Sequence, residues 1–216
     1  MATPPALAER PLRRDAERNR ERILVAAREA FAEDGLDVGL HEIARRAGVG
    51  VGTVYRRFAD KDVLIDALFE DRVEEVVAIA ERALADADAW HGLELFLTRT
   101  LELQAADRGL HQLVFASEQG RHCAAGARER IAPLAILLVE RAQAQGTLRE
   151  DVAAFDVGMA RQMLGAMMEH TRDVDPEAWR RQLAVVLDGL RRGRTRPTPL
   201  PGRPLTPAEF ERLSPG

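Results

Sequence analysis

The stretch AGVGVGTVYRRFADK, residues 47–61, decides how this chain reads. Gly48, Gly50 and Gly52 fall within five residues, and Tyr55, Arg56, Arg57, Phe58 and Lys61 follow them. Glycine at that density normally marks a loop, because it tolerates left-handed backbone and loses more entropy than other residues inside a helix. Yet helical patterns lie on both sides. Upstream, Ile23, Ala27 and Phe31 stack on one face beside Leu24 and Ala30, and Gly35 closes that run. Leu40, Ile43, Ala44 and Ala47 then give the apolar positions of a two-turn helix, with Gly39 as its N-cap. Gly48 ends it, Val49 plugs the turn, and a third short helix from about Val51 to Phe58 turns Val54 and Phe58 inward. Asp60 caps the next helix.

Three short helices with a tight glycine turn between the second and third form a helix-turn-helix. The residue types fit that use. Gly48 permits the turn, and Gly50 and Gly52 carry no side chain to block an approaching phosphate. The first amides of the third helix attract an anion. Thr53 adds a hydroxyl, and Tyr55 can meet a phosphate or a thymine methyl. Arg56 and Arg57 can reach phosphate or a guanine edge, and Lys61 can clamp a further phosphate. Arg45 and Arg46 suit a solvated face or phosphate steering better than base reading, and Arg45 joins the candidate DNA contacts with Gly39.

At this point a resemblance is clear. Ile43–Ala44, Ala47–Gly48–Val49, Gly52–Thr53, Val54–Tyr55, Phe58 and Lys61–Asp62 resemble, in order and spacing, the DNA-binding domain of TetR-type transcriptional repressors. RILVAAREAFAEDGLD resembles that family's first helix, so the likeness covers roughly residues 17–68. There are departures. Gly39 stands where the family often has Thr, and Gly50 where it often has Ser, so two phosphate-contacting hydroxyls are missing. Arg57 stands where many relatives have His. The resemblance implies a second helical domain that binds a small molecule and dimerises. The DV, FD and VLDGLRR segments also resemble one common C-terminal subtype.

Composition agrees with an all-α fold. Ala, Leu, Glu and Arg recur, and aromatics are only 5%, so β-rich patterns are scarce. The 216 residues suffice for two small domains. The expected organisation is a flexible basic arm over 1–14, a helix-turn-helix domain over 15–62, a helical ligand-binding and dimerisation domain over 63–193, and a disordered Pro-rich tail over 194–216. Helices are expected over 61–86, 90–105, 107–118, 124–145, 152–173 and 176–193, with Pro133 kinking one or delaying its start. A lone Cys123 fits a reducing, cytoplasmic setting, and no apolar run approaches the about 18 residues of a membrane span.

In the second domain the pocket candidates are Phe96, Phe115, His122, Met163 and Met167, with Trp90, His111 and Cys123 also in the pattern, and they suit an apolar effector. Phe155 and Met159 on one helix, with Leu183, Val186, Leu187 and Leu190 on another, are the candidate dimer interface that the resemblance implies. No nucleophile motif, phosphate loop or carboxylate pair is present, so no enzyme, cofactor or catalytic residue is expected. His122–Cys123 lacks further ligands at workable spacing for a metal. The expected partners are an inverted-repeat duplex, a small-molecule effector and a second copy of the chain, without a membrane. A DNA-binding regulator governed by a protein partner, and a helical interaction module with no DNA role, remain the alternatives.

Overall fold

The structure, a computed structural model, describes residues 9–35, 37–106, 118–193, 203 and 206, with side chains from residue 15 onward except 118–121 and 124. Among the described residues eight α-helices follow in order: α1 Glu9–Asp34, α2 Leu40–Ala47, α3 Val51–Arg57, α4 Lys61–Ala85, α5 Ala89–Ala106, α6 Glu118–Ala144, α7 Ala154–Thr171 and α8 Ala178–Leu190. The all-α reading holds; one isolated antiparallel bridge joins Leu148 and Arg191.

Two compact units divide the chain at Val73–Glu74, at Ala106–Asp107 and again at Ala127–Arg128. The first holds α1, α2, α3, the beginning of α4 and the start of α6. The periodic residues do what their spacing demands. Ile23, Ala27, Phe31, Ile43, Ala44, Val54 and Phe58 are buried in one cluster. Leu64, Ile65, Leu68 and Phe69 belong to the same cluster. They move the expected domain boundary from 62–63 into α4, because the first turns of that helix close the helix-turn-helix core.

Helix starts also differ from expectation. α1 is described from Glu9, inside the expected arm, and includes Pro11. α6 is described from Glu118, ahead of the expected 124, and continues past Gly120, Gly126 and Pro133. The expected helix 107–118 lies outside the described residues except for Glu118, which belongs to α6, and so do residues 1–8 and nearly all of the 194–216 tail.

The second unit packs the later part of α4 with α5, α7, α8 and most of α6. Its core includes Trp90, Leu93, Phe96, Leu97, Leu101, Leu138, Leu164, Met168, Trp179, Leu183 and Leu187. Asp88 Oδ1 accepts the Trp90 amide at 2.9 Å, and Asp156 reaches back to the Ala153 amide at 2.8 Å, fixing the starts of α5 and α7. No helix among the described residues is long and apolar enough to cross a membrane.

Candidate nucleic-acid interface

The turn between α2 and α3 is built by Gly48. Its φ is +61, a left-handed value that disfavours any residue with a Cβ. From there the Gly48 amide donates to the Arg45 carbonyl at 3.2 Å and the Val49 amide to the Ala44 carbonyl at 3.1 Å. That pair of bonds is a Schellman closure, and Val49 packs on the core as its apolar contact. Arg22 Nη2, from α1, donates to the Gly48 carbonyl at 3.1 Å and ties the turn to the first helix. Nothing in the sequence marked Arg22 for this, since the contact spans 26 residues.

α3 starts on Gly50 with extended backbone, φ −65 and ψ 140, and no side chain caps it. The Thr53 amide reaches the Gly50 carbonyl at 2.8 Å. Val54 and Phe58, four residues apart, point into the core. The same spacing leaves Tyr55, Arg56 and Arg57 exposed. Around Gly52 nothing lies within 4 Å of where a Cβ would be, so a phosphate can approach the backbone there. Arg56 folds along its own helix, Nε to the Gly52 carbonyl at 3.1 Å and Nη2 to Thr53 Oγ1 at 3.3 Å. Arg57 Nη2 stands 3.5 Å from Glu17 Oε2 on α1, with both groups open to solvent. Tyr55 meets His41, in the first turn of α2, edge to face with ring centroids 6.0 Å apart. His41 is exposed beside it and joins the face, although its sequence position did not flag it.

The remaining basic residues divide. Arg45 is exposed and held by Glu42 in a two-pronged contact, Nε to Oε2 at 2.7 Å and Nη2 to Oε1 at 2.5 Å. Arg46 is mostly covered and pairs with Glu33, Asp34 and Glu42, so it braces α1 against α2. Hydrogen bonds from Arg45 first, then Arg46, hold the Glu42 carboxyl down at about 2. Lys61 opens α4 as expected, its Nζ 5.5 Å from the Phe31 ring centroid. Gly39 is the exposed N-cap of α2, in extended backbone without a side-chain cap. The first unit thus gathers Gly50, Gly52, Thr53, Tyr55, Arg56 and Arg57 on one short helix and its cap.

The expected pocket residues do not gather. Phe96 is buried in the core of the second unit, Met167 packs partly against that core, and Met163 is exposed on the outer side of α7. His122 lies in the first unit, and Phe115 is outside the described residues. Beside His122, Cys123 Sγ donates to Asp66 Oδ1 at 3.1 Å, and burial, with Asp66, pushes its thiol up to about 12. A helical stripe of Met and Phe names a face and not which neighbour covers it. A cleft of about 330 Å³ in the second unit is lined by Trp90, one of the candidates, with residues including Glu94, Thr98, Trp179, Arg180 and Asp188. For the expected dimer residues, Phe155 and Met159 are exposed, while Leu183 and Leu187 are buried in their own unit. Val186 and Leu190 pack partly against the same core. On α8, Leu183 and Leu187 therefore serve the core of their own subunit.

This geometry has known counterparts. Residues 23–68 match the family described as bacterial regulatory proteins, tetR family. The chain is 37% identical to the TetR transcription regulatory protein of Mycobacterium vanbaalenii, covering 84% of this chain and 99% of that one, with a TM-score of 0.63. The chain belongs to the TetR family. A TetR transcriptional regulator from Streptomyces coelicolor matches at 30% identity, over 81% of this chain and 99% of its own, with a TM-score of 0.62. Residues 88–192 match the C-terminal domain described as transcriptional regulator SbtR-like. An HTH-type transcriptional regulator of Staphylococcus aureus is 33% identical over 105 residues, 46% of this chain and 54% of its own. The chain spans about half the length, or less, of the curated relatives it matches. As a TetR-family regulator, it carries its DNA-binding helix-turn-helix in α2 and α3.

Proposed function

We propose that this TetR-family chain is a repressor that binds an inverted-repeat operator as a homodimer, and that a small-molecule effector held by its second unit releases it. The carrying observation is the exposed row of Tyr55, Arg56 and Arg57 on α3, whose other face is core. A recognition helix needs that division: one face fixes its position, the other meets base edges and phosphates. The dimer is supported by Phe155, Met159 and Met163, which leave large apolar surface open along α7, and by Val185 on α8. The effector acts through unequal affinity for the DNA-fitting and non-fitting states. The protein works beside its DNA in the cytoplasm.

Footprinting on the region upstream of its own gene tests this. The expected protection covers a palindrome with half-site centres one helical turn apart, about 34–36 Å. Reporter transcription should rise when the regulator is deleted. Absence of sequence-specific protection at low salt removes the operator reading. Specific protection with falling transcription on deletion would make the protein an activator.

A further inference from the structure

We propose that Arg161 on α7 anchors the effector, which carries one anionic group, carboxylate or phosphate, on an apolar body; this rests on the effector reading above. Arg161 is only partly exposed, and its guanidinium makes one contact, Nη1 to Gln104 Oε1 of α5 at 3.3 Å. Among the described residues no carboxylate pairs with it. Other arginines of the same unit differ. Arg180 lies against Glu102 and Glu177, Arg172 against Glu169, Arg149 against Asp151, and Arg192 against Glu150. Withdrawal from water, with no acid to offset it, lowers the affinity of the Arg161 guanidinium for its proton.

A cation drawn out of water without a partner destabilises a fold, and an apolar residue of similar volume is the better structural choice. The surroundings nevertheless hold it in place. Gly165, one turn along α7, leaves the space that the Gln104 amide occupies; a Cβ there would sit 2.4 Å from Gln104 Nε2. Gln104 can accept from the guanidinium but brings no charge to it. The same two helices carry Leu101, Val157 and Leu164 in the apolar core of the unit. A planar guanidinium takes a carboxylate or phosphate in two-pronged fashion, and the match is strongest where water is scarce.

The chain contains two tryptophans, Trp90 and Trp179, both buried in the second unit, so its intrinsic fluorescence reports on that unit. Full-length wild type, Arg161→Met and Arg161→Lys are titrated with decanoate, decyl phosphate and uncharged decanol, and each protein is melted without ligand. The expected result is at least a tenfold preference of wild type for an anion over decanol. Arg161→Met should lose that preference, keep its decanol affinity and melt at or above the wild-type Tm. Arg161→Lys should keep part of the preference. Decanoate against decyl phosphate then decides which anion. Equal binding of all three probes by wild type, no binding of any, an unchanged preference in Arg161→Met, or a Tm several degrees below wild type in that variant would each overturn the proposal. Release of operator DNA by decanol as readily as by decanoate would overturn the Arg161 assignment and leave the effector reading standing.

Discussion

Gly50 and Gly39 are the N-caps of α3 and α2, and both sit in extended backbone where a hydroxyl side chain would reach the third residue of its helix. A Cβ on Gly50 would lie 3.9 Å from Thr53 Oγ1, an ordinary contact, so a side chain fits. Gly50→Ser should therefore stabilise the protein by a few tenths of a kcal/mol and tighten DNA binding, because the hydroxyl adds a phosphate donor. Paired thermal melts and fluorescence-anisotropy titrations check both effects; a weaker complex would mean that bare backbone is what the phosphate needs. Glu42 makes the pH prediction. Its ion pairs with Arg45 and Arg46 lower its pKa from 4.5 to about 2. A depressed carboxylate stabilises the fold above its unfolded value and loses that contribution as pH falls through its folded one. Glu42→Gln should therefore melt below wild type at pH 7, and the two curves should converge between pH 4.5 and 2. An unchanged gap at the acid end would place the effect outside the carboxylate charge.

At the level of elements, α3 offers Arg57 as its separable charge, because among the described residues Glu17 is its one close partner and both are solvent-exposed. Arg57→Ala should weaken operator binding. If Arg57 reads a guanine, the loss is about 1–3 kcal/mol and concentrates at one base position; if it meets phosphate, the loss is even across sequences and the salt slope falls by about one. Binding measured on single-base operator variants over a salt series separates these. α5 carries a packing prediction: a Cβ on Gly92 would lie 2.3 Å from the Ala83 carbonyl oxygen at the end of α4, and backbone cannot swing aside as a side chain can. Gly92→Ala should cost about 1–3 kcal/mol by overpacking, read by urea denaturation, with DNA affinity per folded molecule unchanged. These elements also show what a sequence makes legible. α2 and α3 were readable because their signals are local: apolar spacing, the glycine turn and the Asp60 cap, whose Oδ1 accepts the Val63 amide at 2.9 Å. Arg22 on the Gly48 carbonyl and Arg46 bracing α1 were not readable, since each contact joins distant segments. Nor could periodicity tell that Leu183 and Leu187 face their own core while Met163 faces out, because both stripes have the same helical spacing.

For the molecule as a whole, the question is what covers the open apolar stripe. Phe155, Met159 and Met163 stand at intervals of four along α7, with fractional exposures of 82%, 55% and 59%. Singly exposed apolar residues are ordinary, but three in one row along α7 leave an open apolar stripe of the kind that favours self-association, and Val185 is exposed on α8 as well. If that patch is the subunit contact, two recognition helices bind one palindrome, and the second contact is made at the effective concentration that the dimer sets. Met163→Glu places a charge in the middle of the patch, where pairing would leave it desolvated without a partner. The expected result is a monomer in sedimentation velocity that keeps the helical content of wild type, because Met163 lies outside its own core, and that melts lower only by what subunit association supplies. Binding to a palindrome should fall about 10²–10⁴-fold, the gain that linkage supplies, while affinity for an isolated half-site stays the same. Met163→Leu, with similar volume and no charge, should remain dimeric and separate the charge effect from any loss of methionine. A Met163→Glu protein that stays dimeric and keeps its palindrome affinity would move the subunit contact to another face, and it would do so without touching the DNA-binding assignment of α3.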